Sequence, residues 1–418
     1  MFKPITGCPE ILKDPAQSHL ILGDACLTPH LLAPYEGTVQ CVYLDPPFLT
    51  GEDFQMQMRV GETGMANGKP RVLLPAYSDK FESTGAYYAR MRELLEAAIR
   101  LLSPTGTLFL HVDPRTSARY RILLDEMMGE NAFCNEIIWA YQTGGRATKR
   151  FPSKHDVILM YRKSPKSFFS LDQVSISRRE HRQNHMKRAV DEQGRSYRTI
   201  RTNGKIYTYY DDAPAYPTDV WTDISHIQQR DPQRTGYDTQ KPVKLLERII
   251  GCSTQPGDRV ADLCCGSGTT LAAAAGMGRS FLGMDSAPAA IAAARKRLLD
   301  APARIDWPAG EHGGRLDAKV ESALGFYEVT LEGYTLEPEH EAVLQKEPAG
   351  FPLKRMDTVD QWAAGLMRGG CFHPFAHGVR TPLAPGLPRT LEVPMLSGQV
   401  ALEIVDIMCR RHLFVWEA

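Results

Sequence analysis

The chain has 418 residues, 43% of them hydrophobic, which suits a globular protein of two or three domains with a sizeable core. Lys and Arg balance Asp and Glu at 49 each, so the whole-chain charge names no polyanionic partner, and any such footprint must come from local asymmetry. Nine cysteines without a C-x-x-C pair argue against a disulfide framework or a zinc ribbon; with no apolar signal-like stretch and no run of roughly 18 apolar residues, the expectation is a cytoplasmic protein with no membrane span.

In chain order, "HLILGDA" reads as a strand ending at Gly23-Asp24, and "TVQCVYLDPPF" as a second that stops where Pro46 and Pro47 withhold ladder donors. Asp45 and the Phe48 ring are then left at a strand's carboxyl end, the edge where open α/β sheets bind ligands, unless this is no more than a turn with an exposed Asp. "YYARMRELLEAAIRLLS" has apolar residues at helical spacing up to Ser103-Pro104, "GTLFLHVD" is a strand, "ARYRILLDEMMG" a helix closed by Gly129, and "KHDVILMYRK" a further strand. Strands separated by helices of this length suggest βαβ units and a mainly parallel sheet.

From Arg162 to Lys205 the pattern breaks, and 12 Arg/Lys stand against 4 Asp/Glu. The stretch is either a basic surface loop or a groove for a polyanion, with Tyr197, Tyr207, Tyr209 and Tyr210 available for contacts. Alternation resumes at "TQKPVKLLERIIGCS", a helix with Pro242 in its first turn. "DRVADLCCGSGTTLAAAAGMGRSFLGMD" then reads as strand, glycine turn, helix and strand, and "APAAIAAARKRLLDA" as another helix. Beyond about residue 301, prolines and short strand-like runs suggest a small, separate α+β domain.

The glycine turn carries the most chemistry. Gly266-Ser267-Gly268 permits a tight turn and close approach of a ligand to the backbone, and the helix that follows offers free N–H groups and a positive dipole end. Asp262 ends the strand before the turn, and Asp285 ends the next strand, 23 residues later, where an acid can hold the two hydroxyls of a ribose. The plainer alternative is a βα turn with Asp285 as a helix cap. The turn is not a P-loop, because the G-K-[ST] lysine is missing, and it is not G-x-G-x-x-G, because Leu271 stands in place of the third glycine. S-adenosylmethionine, with a carboxylate and a ribose but no phosphate, fits it better than NAD or ATP.

With these motifs in place, the series "ILGDA", "VYLDPPF", "GTLFLHVDPR", "NEIIWAY", "KHDVILMYRK", "VWTDI", "GYDTQKPVKLLERII" and "ADLCCGSGTT…GRSFLGMD" resembles the β-group of bacterial amino-methylating DNA methyltransferases (adenine-N6/cytosine-N4). There the catalytic motif precedes the cofactor motif, and several segments are similar to the modification subunits of type III restriction systems. The resemblance implies an α/β, Rossmann-like S-adenosylmethionine-dependent methyltransferase with a mostly parallel sheet. It divides the chain into a catalytic half at 1–163, a basic target-recognition insertion at 164–237, a cofactor-binding half at 238–300 and an accessory region of unassigned role at 301–418.

It also implies site residues. Asp45 and the carbonyl of Pro46 would orient the amine of a flipped base, with Pro47 shaping the loop and Phe48 stacking on the ring. Asp24, Lys241, Pro242, Asp262, Cys264, Gly266, Ser267, Gly268, Thr269, Thr270 and Asp285 would surround the cofactor, with Lys241 and Pro242 beside its methionine portion. Thr269 and Thr270 could equally be ordinary helix caps. His155 would lie near the base, although a lone histidine is more often structural, and Arg178, Arg179, Arg182, Lys187 and Arg188 would meet DNA. No metal is called for. Where the family usually reads D-P-F-x-G-S-G-T-T, this chain reads "DLCCGSGTT", which alters local packing around Cys264 and Cys265 and leaves the glycines intact. Asp before Pro-Pro favours adenine N6 over cytosine N4, and double-stranded DNA is the implied partner. Cytosine-N4 chemistry, a non-catalytic DNA-binding subunit, a homodimer and a separate restriction subunit stay open.

Overall fold

The computed structural model describes residues 1–12, 18–141, 148–149, 151–177, 186–228, 231–310, 314–345 and 354–417. Three short strands open the chain: β1 (Phe2–Ile5), β2 (Glu10–Leu12) and β3 (His19–Leu22). β4 (Val39–Leu44) is buried at every position, as a strand covered on both faces must be. β5 (Asp53–Arg59), α1 (Gly61–Asn67) and β6 (Arg71–Ser78) then form a hairpin with a helix at its turn. α2 (Thr84–Leu101) starts where the Ser83 side chain accepts from the Ala86 N–H. It leads straight into β7 (Leu102–Val112), which takes in the Ser103-Pro104 pair expected to lie between elements. α3 (Ser117–Met128), β8 (Phe133–Ala140) and β9 (His155–Arg162) complete this half.

The insertion holds β10 (Ile176–Ser177), β11 (Lys187–Val190), β12 (Ser196–Thr202), β13 (Lys205–Tyr210), β14 (Pro214–Ala215) and β15 (Val220–Trp221). α4 (Val243–Ser253) follows Pro242, which sits at the N-cap rather than inside the first turn. β16 (Arg259–Asp262), α5 (Thr269–Gly276), β17 (Ser280–Asp285), α6 (Pro288–Leu298) and β18 (Ala303–Asp306) form the second half of the α/β core. The remainder is β19 (Arg315–Ser322), β20 (Phe326–Thr335), α7 (Pro338–Gln345), β21 (Val359–Arg368), β22 (Cys371–Val379), β23 (Thr390–Pro394), β24 (Gln399–Asp406) and β25 (Arg411–Trp416).

One 15-stranded sheet runs β1-β25-β24-β21-β22-β2-β18-β3-β17-β16-β4-β7-β9-β8-β15. Its centre, from β18 to β7, is parallel throughout, with antiparallel strands on both flanks. The α/β core is Rossmann-like, as the resemblance implies, but the mostly parallel sheet expected is confined to the centre; the whole sheet is mixed, because the strands from both flanks add to it antiparallel. No helix among the described residues is long and apolar enough to cross a membrane.

Residues 301–418 hold strands and one helix, but they are not a separate unit. β18 pairs with β3 inside the parallel block, and β22 meets β2 at Glu10–Phe372. Between these layers lies a buried charge cluster. Arg295 of α6 donates to both oxygens of Glu10, at 2.7 and 2.6 Å, to Gln361 at 2.7 Å, and to Glu403. Arg411 reaches the other oxygen of Glu403. Burial of these charges is tolerable because each has an opposite partner. The composition shift at residue 301 therefore does not mark a separate domain, since the strands beyond it extend the same sheet.

Candidate functional site

Four neighbouring strands, in the order β3-β17-β16-β4, run parallel and deliver an aspartate each to the same sheet edge. Asp285 and Asp262 end their strands, Asp45 follows β4 directly, and Asp24 follows β3 by two residues. All four line a single cavity of about 350 Å³. Its wall also includes Pro46, Pro47, Phe48, Lys241, Cys264, Gly266, Ser267, Thr269 and Thr270. Pro242 and Gly268 are not on the wall; they shape the backbone behind it.

One side of the cavity is built from main chain and strand ends. Gly266 and Gly268 adopt φ +49° and +75°. A Cβ at Gly268 would sit 2.7 Å from the Ala294 Cβ, so only glycine lets α6 close against the turn. Asp285 accepts from the Gly266 N–H at 2.8 Å and the Ala287 N–H at 2.9 Å. It therefore ties the glycine turn to the start of α6 while staying on the cavity wall. Burial pushes its carboxyl up to about 6. Asp262, 2% exposed, accepts from the Thr270 hydroxyl at 2.5 Å, and burial pushes it up to about 7. Thr269 accepts from Arg297 at 2.9 Å. Neither threonine caps α5, whose N-cap is Gly268. Asp24 takes both its oxygens to the Arg90 guanidinium. Burial raises the Cys264 and Cys265 thiols well above their usual range, so both pack as protonated groups.

The opposite side is assembled from distant side chains. Lys241, expected beside a cofactor, lines the cavity, donates to Asp45 Oδ2 at 2.5 Å and lies 5.3 Å from the Phe48 ring centre. The Tyr87 hydroxyl donates to the Pro47 carbonyl at 2.8 Å and is backed by Tyr120. Asp79 receives the backbone N–H groups that follow Pro47. Beneath Phe48 lies His111, ring centres 5.9 Å apart, held between Tyr43 at 2.8 Å and Asp156 at 3.1 Å. Burial alone would raise the Asp156 carboxyl, but its hydrogen bond to His111, with the charges of His111 and Lys241, holds it below its usual range.

Those predicted DNA residues that the structure describes fall elsewhere. His155 starts β9, paired with Ala140, and is not on the cavity wall; the histidine beside Phe48 is His111. Arg178, Arg179 and Arg182 lie outside the described residues. Lys187 and Arg188 are exposed on the antiparallel sheet β11-β12-β13, where Arg188 meets Ser196 at 2.8 Å and Asp211 at 3.5 Å. That sheet rises from the β10–β14 pair. Just before β10, Val174 abuts Gly251 near the end of α4, and Gln173 accepts from Arg279 ahead of β17. Its root is thus at the amino-terminal edge of the parallel strands, away from the cavity. Sequence reasoning missed Asp79, Tyr87, His111 and Asp156: His111 and Asp156 lie in the segments "GTLFLHVDPR" and "KHDVILMYRK" but reach the site only through fold contacts, and no segment that carries the resemblance contains Asp79 or Tyr87.

A family model described as DNA methylase matches residues 39–296. The type II methyltransferase M.HpaI of Haemophilus parainfluenzae is 27% identical over 264 residues, which are 63% of this chain and 69% of that protein. The DNA adenine methyltransferase YhdJ of Escherichia coli (strain K12) is 25% identical over 284 residues, covering 67% of this chain and 82% of that protein. Matches to three curated relatives span 69%, 64% and 53% of their own lengths. The solved structure of the PvuII DNA methyltransferase (cytosine-N4-specific) is 16% identical with a TM-score of 0.46, covering 69% of this chain and 88% of that one.

Proposed function

The chain belongs to the DNA methylase family whose model spans its residues 39–296, and from that premise we propose that it methylates the N6 amine of an adenine turned out of double-stranded DNA, with S-adenosylmethionine as donor. The observation that carries this reading is the meeting of the Asp45-Pro46-Pro47-Phe48 loop and the Gly266–Gly268 turn in one cavity. The cofactor fits its wall. Two carboxylates that burial has pushed to about 7 and about 6 gain from hydroxyl and ammonium donors, and a cavity of about 350 Å³ is of ligand size. When bound, the cofactor supplies an electrophilic methyl group.

Asp285 holds ribose hydroxyls, the N–H groups at the head of α5 face the methionine carboxylate, and Asp24 with Arg90 bounds the adenine end. An exocyclic amine is a poor nucleophile because its lone pair is delocalised into the ring. Asp45 and a proline carbonyl, each accepting one N–H, turn that lone pair toward the methyl group. Tyr87 occupies the Pro47 carbonyl, which leaves Pro46 for this task. Lys241 engages only Oδ2 of Asp45, and a carboxylate has acceptor sites to spare, so Oδ1 takes the amine and then the proton it sheds. Phe48 stacks on the base. Asp45, in place of the Ser that the family mostly uses for cytosine, supports adenine as the target.

Residues 164–237 serve as the target-recognition region. Because their basic sheet is rooted away from the cavity, Lys187 and Arg188 grip phosphates at a distance from the flipped base and not the base itself. The test is methyl transfer from labelled S-adenosylmethionine to unmethylated genomic DNA, with the nucleosides identified by mass. N6-methyladenine is the expected product; N4-methylcytosine would overturn the assignment to adenine, and no product would overturn the substrate.

A further inference from the structure

The loop that carries Asp45 and Phe48 does not hold its own shape. After the two prolines the chain turns back on itself, with Leu49 at φ +56°, a left-handed value that a side chain of this kind rarely takes. What stabilises the turn is a single buried carboxylate. Asp79, 0% exposed, accepts from the Leu49 N–H at 2.9 Å through Oδ1. Its Oδ2 accepts from the Phe48 N–H at 3.2 Å, the Thr50 N–H at 2.8 Å and the Thr50 hydroxyl at 2.7 Å. The Asp79 backbone closes the same turn, donating to Glu52 at 2.9 Å and accepting from Gly51 at 3.2 Å.

Hydrogen bonds from N–H groups to an ionised acceptor are the strong ones, and here three consecutive backbone donors converge on one. Asp79 directly follows β6, the strand returning from the hairpin inserted after the catalytic loop. The hairpin is fastened on its other side. The Gln57 N–H donates to the Gly236 carbonyl at 3.0 Å, and Met56 bridges Tyr237, whose ring lies against the Gly266 turn. Asp79 is therefore set by the wall that faces the cofactor and acts on the loop that faces the base.

We propose that Asp79 is the positioning residue for Phe48, fixing the ring where the flipped base must stack, and that the β5–β6 hairpin serves to deliver it. This rests on the methyltransferase reading above. Asp79 borders the cavity but is 0% exposed, with its carboxylate oxygens bonded to Phe48, Leu49 and Thr50, so on this proposal its effect passes through the loop that carries Phe48, which a double-mutant cycle tests.

The experiment compares wild type, Asp79→Asn, Phe48→Ala and the double variant in the full chain, by kcat/KM on unmethylated genomic DNA and by calorimetric cofactor affinity. Asp79→Asn should lower kcat/KM by about 10- to 100-fold with cofactor affinity within about threefold. In the Phe48→Ala background its further loss should be under about threefold, because the ring it positions is gone. Thr50→Val removes one donor to the same oxygen and should show the same pattern at smaller size, which covers failure of Asp79→Asn to fold. An equal loss in both backgrounds, or a parallel loss of cofactor affinity, overturns the proposal alone. An inactive wild type overturns the methyltransferase reading and this proposal with it.

Discussion

The two walls of the cavity are built on opposite plans. The wall of Asp262, Gly266 and Asp285, with Gly268 behind it, comes from one βαβ run, and its polar groups bond mostly to each other or to backbone within it. The wall of Asp45 and Phe48 borrows its partners from far away: Lys241, Tyr87, Asp79 and His111 come from four other elements or loops. A cofactor is the same at every turnover, so a local, rigid cradle suffices. In the proposed reading a base arrives on a large polymer, and the wall proposed to receive it is tied to several parts of the fold.

If the walls are functionally distinct, breaking one should spare the other. Asp45→Ala is the largest test: transfer should fall by on the order of 10³-fold or more while cofactor affinity stays within about threefold, read by initial rates and calorimetry. Loss of both together would mean that Asp45 holds the cofactor wall as well. Gly268→Ala attacks the other wall, because its Cβ would meet Ala294 at 2.7 Å in a backbone region that favours glycine. It should weaken cofactor binding by about tenfold or more and lower stability by about 1–3 kcal/mol in denaturant titration.

A pH series sharpens the comparison with a smaller effect. Burial holds Asp262 and Asp285 up at about 7 and about 6, and once ionised both accept ligand donors more strongly. Cofactor affinity should therefore improve by about 3- to 10-fold between about pH 5.5 and about pH 8. Stability of the ligand-free chain should move the other way. A carboxyl raised by folding contributes most below its unfolded value and loses that contribution as pH climbs through about 6 and about 7. A flat affinity profile would show that these acids do not face the ligand. The smallest effect belongs to the remote basic sheet: Lys187→Ala should lower the salt slope of DNA binding by about 1 and leave cofactor binding unchanged.

The same contrast explains what could be read from sequence. The cofactor wall lies within "VADLCCGSGTT" and "SFLGMD", where strand, turn and acid are consecutive, so local rules place every group. Asp45 was legible for the same reason, since Pro46 and Pro47 stop β4 beside it. Lys241 was legible as a site residue but not as the partner of Asp45, because that pairing depends on how two distant loops meet over the sheet edge. His155 was expected near the base from its place in "KHDVILMYRK", and His111, in "GTLFLHVDPR", was not singled out, because its position under Phe48 depends on how β7 and the loop after β4 meet in the fold. The hairpin β5–β6 was missed, and the strand-like runs of the tail were read as a separate domain, because their burial comes from contacts across the fold.

The cluster of Glu10, Arg295, Glu403 and Arg411 bears on modularity. α6 is held to the flanking strands through Arg295 and presses Ala294 against the glycine turn, so the flank and the cofactor wall share one rigid helix. A buried charge parted from its partner is strongly destabilising, on the order of 3–5 kcal/mol. The boundary near residue 301 is thus not a seam along which the chain can be cut or its parts exchanged. A graft of the cofactor half into a relative would have to carry both acids and both arginines with it, and evolution of the flank is tied to the helix it grips.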